Sequence, residues 1–412
     1  AVWAVLQGVV VLAGVLSGLA AVFCAAGALA TPAVVDLAST VTHPFEEHLG
    51  RRYVRRATER LRQVGPKVVA VTGSFGKTST KGYIAHLLSG STSVASSPAS
   101  FNNKLGLARA VNEVLADSTQ VFVAEMGTYG RGEIAELCSW MAPDISVITA
   151  IGPVHLERFG TEDEILQAKS EILAGAPCCV LMVDDARLDA LGAKLRVEGK
   201  RVWRVSAGAR PDADVNVVAR GGAWELSVSA SRERTTVPAL AASARPANAA
   251  CAVAVALELG VPFTEISKLL STLPVAPHRL EQRSASGGFV ILDDTYNANP
   301  AGVRVALDAL QAAAVGAHRR VVVTPGMVEL GSRQEEENAR FAEAAGAVAT
   351  DMIVVGRTNR KPLVTGFRRS MREGEGSLVV VDRREQAVDW VRAHLGEGDA
   401  VLYGNDLPDH YP

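Results

Sequence analysis

The hydrophobic pattern of the chain is dominated at its start by one long apolar segment. Residues 1–35 contain no charged side chain, and residues 51–62 that follow carry six arginines. About 20 apolar residues are enough for a helix to cross the hydrocarbon core of a bilayer, and a basic flank is typical of its cytoplasmic side. The pattern predicts a transmembrane anchor over residues 1–40, in contact with membrane lipid, with the rest of the chain in the cytoplasm.

This apolar segment has two other interpretations. One is a cleaved signal peptide, although the run exceeds the roughly 7–15 residues of a typical signal core and no charged region precedes it. The other is a helix buried in a protein core. The chain does not begin with methionine, which leaves room for further sequence or a second membrane helix upstream.

After the apolar segment, hydrophobic residues recur at every fourth position among the arginines. They are Phe45, Leu49, Tyr53, Ala57 and Leu61. This spacing places them on one face of a helix, so we predict a basic amphipathic connector over residues 41–65. Such a helix can lie on an anionic membrane surface, or it can pack against the next domain, and the pattern is compatible with both.

From residue 66 onward, short runs of valine, isoleucine and alanine alternate with longer amphipathic stretches. The clearest predicted strands and helices are Val68–Val71, Val121–Ala124, Ile145–Thr149 and Val180–Val183, with helices near Thr78–Leu88, Ile165–Ala174 and Ala186–Leu195. This alternation is typical of a mostly parallel sheet covered by helices. It predicts an α/β fold whose central domain spans residues 66–275.

Two further patterns complete the predicted architecture. Residues 214–230 alternate around a Gly-Gly pair as a β-hairpin does, which predicts a small β insertion in the central domain. After a stretch rich in proline and glycine, a second series of strands and helices begins at Phe289–Leu292 and continues to Ala400–Tyr403. We therefore predict a second, Rossmann-like α/β domain over residues 276–412.

Composition narrows the class of protein. The 42 basic and 44 acidic residues leave a net charge of −2, which argues against a dedicated nucleic-acid binder. A hydrophobic content of 48% with 21% charged residues excludes a mostly disordered chain. None of the five cysteines forms a C-x-x-C pair, so neither a zinc ribbon nor a disulfide framework is indicated.

A glycine-bounded loop supplies the clearest chemical signal. The sequence G-S-F-G-K-T over residues 73–78 follows an apolar strand and opens a helix. Glycines let backbone N–H groups turn toward phosphate, the lysine reaches the β- and γ-phosphates, and the threonine hydroxyl can bind Mg²⁺. The spacing is a short variant of the common nucleotide loop, and the alternative is a plain turn that holds a lysine. The flanking strand and helix favour a P-loop with these candidate nucleotide-binding residues: Gly73, Ser74, Gly76, Lys77, Thr78 and Ser79.

Three more polar side chains are candidates for the same site. Glu125 ends an apolar strand, His155 follows another strand, and Lys169 lies on the next predicted helix. Open α/β sheets bind ligands at the carboxyl ends of their strands. Each residue alone has an ordinary explanation as a cap, a loop side chain or a surface lysine. Together with the loop they indicate a site for nucleotide and metal.

Several ordered motifs carry a resemblance to a known family. Besides the loop, they are F-N-N-K-L-G at 101–106, A-E-M-G at 124–127, I-G-P-V-H-L-E-R-F-G at 151–160, A-K-S-E-I at 168–172, D-D-T-Y-N-A-N-P at 293–300 and M-V-E-L-G at 327–331. In this order the chain resembles the Mur ligases, and most of all the subgroup that adds D-alanyl-D-alanine to the peptidoglycan precursor.

The resemblance implies amide-bond formation driven by ATP. A substrate carboxylate attacks the γ-phosphate, ADP leaves, and an amine then displaces phosphate from the acyl phosphate. The implied catalytic residues are Lys77, His155 and Lys169. Thr78 and Glu125 match residues that hold Mg²⁺ at the nucleotide, and His155 matches one that helps to hold a second Mg²⁺. Lys169 matches the lysine that the family carbamylates with CO₂, which makes it an anion able to support metal.

The resemblance also implies which residues bind the substrates. Asn248 matches the asparagine that contacts adenine, and Arg279 and Asp294 match residues that reach the phosphates and ribose. Recognition of the other substrates is implied for these residues: Asn102, Asn103, Tyr296, Asn297, Asn299 and Glu329. The expected substrates are a carboxylate-bearing precursor of cell-wall type and an amino acid or dipeptide amine, and the expected location is a bacterial inner membrane.

The chain departs from the family pattern before the phosphate loop. Family members carry an N-terminal domain there that binds the UDP-sugar, whereas this chain has the apolar segment and the basic connector. Three hypotheses follow. The first is a membrane-anchored ligase of the D-alanyl-D-alanine-adding type that acts in cell-wall synthesis, and the second is a related ligase that joins an amino acid or peptide to another carboxylate, lipid-linked or polymeric. The third is a non-catalytic nucleotide-binding scaffold. The presence of Lys77, Glu125, His155 and Lys169 argues against the scaffold.

Overall fold

The computed structural model describes residues 2–16, 20–99, 101–238, 244–275, 278–296, 298–314, 318–371 and 376–405. Its helices are α1 (Val2–Leu16), α2 (Ala20–Val64), α3 (Lys77–Leu88), α4 (Lys104–Val114), α5 (Glu133–Met141), α6 (Leu156–Phe159), α7 (Glu162–Ser170), α8 (Ala186–Val197), α9 (Pro246–Glu258), α10 (Phe263–Leu270), α11 (Pro300–Ala313), α12 (Gln334–Val348), α13 (Arg360–Ser370) and α14 (Arg384–His394). Two short 3-10 turns, Glu171–Leu173 and Gly331–Arg333, follow α7 and precede α12.

The larger of two sheets organises the central part of the chain. Its strands are β1 (Lys67–Thr72), β2 (Val94–Ser96), β3 (Val121–Glu125), β4 (Ile145–Ile148), β5 (Cys178–Met182), β6 (Arg201–Ser206), β7 (Val215–Arg220), β8 (Ala223–Val228) and β9 (Arg234–Pro238). They lie in the order β2-β3-β1-β4-β5-β6-β7-β8-β9, and the pairs from β2 to β7 are parallel. Every residue of β3, β4 and β5 is buried, as expected for parallel strands covered on both faces.

The predicted β insertion is a continuation of this sheet. β7 and β8 form the expected hairpin across Gly221 and Gly222, both of which have positive φ, and β9 pairs antiparallel with β8. Because β7 also pairs with β6, the hairpin extends the parallel sheet at its edge. The alternation of side chains along residues 214–230 predicted the hairpin. It did not predict that β7 pairs with β6, because that pairing is not determined by the hairpin's own sequence.

A second sheet organises the rest of the described chain. Its strands are β10 (Glu281–Ser284), β11 (Val290–Asp294), β12 (Arg320–Thr324), β13 (Asp351–Val355), β14 (Leu378–Val381) and β15 (Ala400–Gly404). They lie in the order β10-β11-β15-β12-β13-β14, with only β10 antiparallel to its neighbour. Apolar residues on the two faces of this sheet form two clusters, one around Leu310 and Phe367 and one around Ile353 and Val391. The architecture is the predicted one: a nucleotide-binding α/β domain followed by a second α/β domain.

The structure overturns the prediction of a membrane anchor. Within the described ranges, no helix combines the length and the apolar character that a bilayer crossing requires. α1 has 15 residues, which extend over about 22 Å at the rise of an α-helix, whereas the hydrocarbon core is about 30 Å thick. α2 is longer, but it includes Asp36 and the arginine-rich stretch. The predicted transmembrane helix, its contact with membrane lipid and the membrane-anchored localisation are therefore wrong.

The helix that carries the arginines packs against the central domain. Ala57 and Leu61 are buried in the same apolar cluster as the strands of the larger sheet, and Tyr53 and Val54 pack against its edge. Arg60 donates to the Leu115 carbonyl oxygen at 2.9 Å. Of the two interpretations of this amphipathic stretch, packing against the next domain is the one that the structure supports.

Candidate functional site

The glycine-bounded loop lies where the carboxyl ends of three parallel strands meet. β1 ends at Thr72, with Val71 paired to Glu125 at the end of β3 and Thr72 paired to Ile148 at the end of β4. The chain then passes through the loop and enters α3 at Lys77. The edge at which the loop lies is the one where open α/β sheets place their ligands.

Two positions of this loop require glycine, because a Cβ atom would clash with neighbouring atoms and because the backbone φ is positive. Gly76 has a φ of 80°, and a Cβ there would collide with the side-chain amide of Asn248. Gly73 has a φ of 151°, and a Cβ there would collide with the hydroxyl of Thr149. Both residues therefore allow close approach of the loop to neighbouring segments in a conformation that side-chain-bearing residues rarely adopt.

The loop is tied to the segment that follows β4. Ser74 N donates to the Ala150 carbonyl oxygen at 2.8 Å, and the Ser74 hydroxyl bridges the N–H and carbonyl oxygen of Gly152, both at 3.0 Å. Lys77 Nζ donates to the Gly73 carbonyl oxygen at 2.8 Å, so the lysine folds back over the loop. Burial lowers the pKa of the Lys77 amine, whose charge a nucleotide phosphate would compensate.

Glu125 is a buried carboxylate with one oxygen that accepts no hydrogen bond from the described residues. The residue is 1% exposed. Its Oε1 accepts a hydrogen bond from Asn102 Nδ2 at 3.4 Å, while Oε2 has no hydrogen-bond donor in the described part of the chain. Lys81 Nζ lies 3.2 Å from Oε2, close enough for an ion pair but outside hydrogen-bond geometry. A buried carboxylate oxygen without a donor fits a Mg²⁺ ligand.

His155 belongs to a contact between the two domains. Its Nδ1 donates to the Glu329 carboxylate, and its ring lies edge-on to that of Tyr129, with centroids 4.7 Å apart. The hydrogen bond from His155 lowers the pKa of Glu329. A carboxylate on one imidazole nitrogen leaves the other nitrogen available as a metal ligand, as in many metal sites. Glu162 and Arg333 form an ion pair at 3.1 Å across the same boundary.

Lys169 is buried in a way that favours its neutral form. It lies near the end of α7 and is 2% exposed. Its Nζ has no hydrogen bond or ion pair with another described residue. Burial lowers its pKa well below the usual value for lysine, and the nearby positive charge of Lys77 lowers it further. A neutral amine is the form that reacts with CO₂, so the residue fits the modification that the family resemblance implies.

The lowered pKa of Lys169 predicts a pH-dependent contribution to stability. Between its folded pKa and the usual value near 10.4, the unfolded chain holds a proton that the folded protein has released. The free energy of unfolding therefore rises with pH in that window, by at most about 1.4 kcal/mol per pH unit. We expect Lys169→Met to flatten this rise in urea unfolding measured in CO₂-free buffer. The exposed Lys194→Met serves as control, and equal slopes for wild type and Lys169→Met would contradict the prediction.

A cavity of about 220 Å³ beside the loop collects most of the predicted nucleotide-binding residues. Of the residues predicted to bind nucleotide, the cavity is lined by Gly76, Thr78, Ser79, Asn248, Arg279 and Asp294. The first four come from the central domain and the last two from the second domain. Residues that lie far apart in sequence thus enclose one space at the boundary between the domains.

Charged groups around the cavity are held away from bulk solvent. Burial lowers the pKa of Arg279 and raises that of Asp294, which accepts a hydrogen bond from Leu280 N at 3.1 Å. The Arg279 guanidinium stacks over the Tyr296 ring, 4.2 Å from its centroid. In such surroundings, interactions with phosphate are stronger than they are in water.

The residues predicted to bind the other substrates are more dispersed. Asn102 lies against Glu125, and Glu329 against His155. Asn299 lines the nucleotide cavity. Asn103 and Asn299 also cap α4 and α11, accepting from Gly106 N and Gly302 N, both at 2.8 Å. Asn297 lies outside the described residues.

Two charged residues of the site escaped the sequence reasoning. Arg245 lines the nucleotide cavity, and burial lowers its pKa. It immediately precedes Pro246 at the start of α9. An arginine three residues before the matched Asn248 could have indicated a phosphate-binding residue from the sequence. Lys81 contacts Glu125, four residues after Lys77 on α3. That spacing places it one turn further along the same face of the helix.

Comparison with known proteins finds similarity over both domains. Two family models match, the Mur ligase middle domain over residues 71–256 and the Mur ligase, glutamate ligase domain over residues 278–404. The UDP-N-acetylmuramoyl-tripeptide–D-alanyl-D-alanine ligase of Mycobacterium leprae is 32% identical over 379 residues, covering 82% of this chain and 70% of that relative.

Solved structures show the same fold. The crystal structure of MurF from Acinetobacter baumannii matches with a TM-score of 0.71 and 25% identity, over 87% of this chain and 77% of that one. The MurF ligase of Thermotoga maritima, solved in complex with ADP, matches with a TM-score of 0.69 and 24% identity, over 87% and 80% of the two chains.

The fold and the site define a nucleotide-dependent α/β enzyme whose two domains enclose one cavity. The chain belongs to the Mur ligase family. It is an ATP-dependent acid–amino-acid ligase, as its motifs predict.

Proposed function

We propose that this ligase joins D-alanyl-D-alanine to the free carboxylate of a UDP-N-acetylmuramoyl-tripeptide. The identity to D-alanyl-D-alanine-adding relatives supports the choice of substrates. The structural observation that carries the proposal is the cavity between the domains, which brings Asn248 and the loop together with Arg279 and Asp294. One nucleotide bound there would contact both domains.

The residues around the cavity divide the work of phosphoryl transfer. Lys77 and the N–H groups at the start of α3 bind the phosphates and stabilise charge that develops on the γ-phosphate. Arg279 adds a second cation from the other domain. Phosphoryl transfer depends chiefly on such positioning and charge neutralisation. The acceptor carboxylate then forms an acyl phosphate as ADP leaves, and the amine nitrogen attacks the acyl carbon and releases phosphate.

Metal ions would be held by four side chains that have already been described. Thr78 and Glu125 are the proposed Mg²⁺ ligands at the nucleotide, and His155 with carbamylated Lys169 would support a second ion at the acyl phosphate. When bound, Mg²⁺ would supply neutralisation of phosphate charge. Two observations support these assignments: Glu125 Oε2 accepts no hydrogen bond from the described residues, and Lys169 is buried.

The proposal predicts that ADP forms only when both substrates are present. We expect ADP release from ATP and Mg²⁺ to require a UDP-N-acetylmuramoyl-tripeptide together with D-alanyl-D-alanine, and mass spectrometry to detect the ligated product. L-Alanyl-L-alanine is the matched control for the amine, and the free tripeptide is the control for the UDP-sugar. ADP formation at equal rates with and without the acceptor would contradict the proposal, and product formed equally well from the free tripeptide would show that the UDP-sugar is not recognised.

A further inference from the structure

Lys81 is a lysine buried beside the proposed metal ligand Glu125. It is 5% exposed, although lysine is almost never fully buried without a partner. Its Nζ lies 3.2 Å from Glu125 Oε2 and donates to the Ala99 carbonyl oxygen at 2.7 Å. One ammonium group therefore joins α3, which begins with the phosphate-binding lysine, to both the end of β3 and the loop after β2.

The same loop holds Glu125 at two other points. Glu125 N donates to the Ser97 hydroxyl at 3.2 Å, and Asn102 Nδ2 donates to Oε1. The Asn102 carbonyl oxygen in turn accepts from Gly127 N at 2.8 Å. Ala99 at the middle of this loop has a φ of 42°, a conformation that neighbouring contacts must maintain in a residue with a side chain. The contact from Lys81 is made at that residue.

The charge of Lys81 has a specific partner to compensate. A buried carboxylate without a nearby cation is strongly destabilising. Lys81 satisfies this need through an ion pair with Oε2 that lies outside hydrogen-bond geometry. We infer that Lys81 is a positioning residue for the metal that accompanies the nucleotide. It holds the Glu125 carboxylate, together with Ser97, Ala99 and Asn102 of the loop after β2, in a preformed geometry.

This inference relies on the proposed function only in assuming that the protein binds a metal nucleotide. A purely structural role for Lys81 would lower stability and would leave the affinity of the remaining folded protein for metal unchanged. A positioning role acts through Glu125, so its effect on metal affinity must disappear when Glu125 can no longer serve as a ligand.

The test measures Mn²⁺ binding to the full chain in the presence of saturating ADP. Electron paramagnetic resonance detects the Mn²⁺ that remains free. Four proteins are compared: wild type, Lys81→Met, Glu125→Gln and the double variant. We expect Lys81→Met to weaken Mn²⁺ binding about tenfold or more, the range seen when partners of metal ligands are removed. The double variant should bind Mn²⁺ no more weakly than Glu125→Gln alone. Lys67→Met is the matched control, because it breaks a lysine–carboxylate pair at the other end of β1, where Lys67 Nζ lies 2.9 Å from Asp144.

Each outcome bears on the inference. Wild-type affinity in Lys81→Met would overturn it, as would multiplying effects of the two substitutions. If Lys81→Met does not fold, the double variant can still test the inference, because it buries neither charge. Its Mn²⁺ affinity must then match that of Glu125→Gln. A wild-type protein that takes up no Mn²⁺ with ADP would overturn the proposed function together with this inference, whereas normal uptake by wild type and Lys81→Met alike would overturn this inference alone.

Discussion

Replacing Lys77 with alanine is expected to lower the kcat for ADP formation by about 1,000-fold, the effect of removing a preorganised group from developing negative charge. Lys77 opens α3 directly after the glycine-bounded loop and is held over that loop by its bond to the Gly73 carbonyl oxygen. We propose that its charge lies beside the γ-phosphate of a bound nucleotide. Because the substitution removes a buried amine whose pKa is already lowered by burial, the fold should survive it.

The Lys77→Ala substitution should lower kcat and leave the midpoint temperature of thermal unfolding close to that of wild type. The matched control is Lys194→Ala, which removes an exposed lysine of α8 from a pair with Glu198 and should leave kcat unchanged. Turnover by Lys77→Ala within tenfold of wild type would show that the loop does not bind the reacting phosphate.

The strands and the loop could be predicted because their information is local. β1, β3, β4 and α3 begin and end within one or two residues of their predicted bounds, since valine-rich runs and a glycine-bounded turn each determine their own conformation. In the structure, the motif residues Asn248 and Asp294 line the same cavity as residues of the loop. Their choice as candidates depended on the family resemblance, because 46 residues separate these two positions in the chain.

Features that depend on contacts between distant segments could not be predicted in the same way. The bond between His155 and Glu329 joins residues 174 positions apart, and neither residue's neighbours in sequence indicate the other. The pairing of Lys81 with Glu125 is of the same kind. A lysine in a helix is ordinarily a solvated residue, and only the packing of α3 against the end of β3 buries this one.

The membrane prediction failed for a different physical reason. An apolar run predicts a spanning helix only if one helix contains enough of it. In the described structure, α1 ends at Leu16, and the following helix continues from apolar residues into the charged stretch that packs on the central domain. Composition alone does not reveal how an apolar run is divided between helices.

Replacing Lys169 with alanine is expected to lower kcat by about 1,000-fold, and short carboxylates added to the assay should restore part of the lost activity. The physical reason is charge. The proposed carbamate on Lys169 would place an anion in a buried site near Lys77, and alanine would leave that positive charge uncompensated. Acetate or formate can occupy the space left by the side chain and supply the missing carboxylate. Chloride at equal ionic strength is the control for a nonspecific salt effect.

Two further comparisons separate this role from a structural one. Mass spectrometry of the intact wild-type protein with and without bicarbonate should reveal a CO₂ adduct that Lys169→Ala lacks. The control is Lys268→Ala, which removes an exposed lysine of α10 and should retain both the adduct and wild-type kcat. Carboxylate rescue should increase with the concentration of the added anion and be absent in Lys77→Ala, because that protein lacks the phosphate-binding cation and has an intact Lys169. Full activity of Lys169→Ala without any added carboxylate would show that the buried amine takes no part in the reaction.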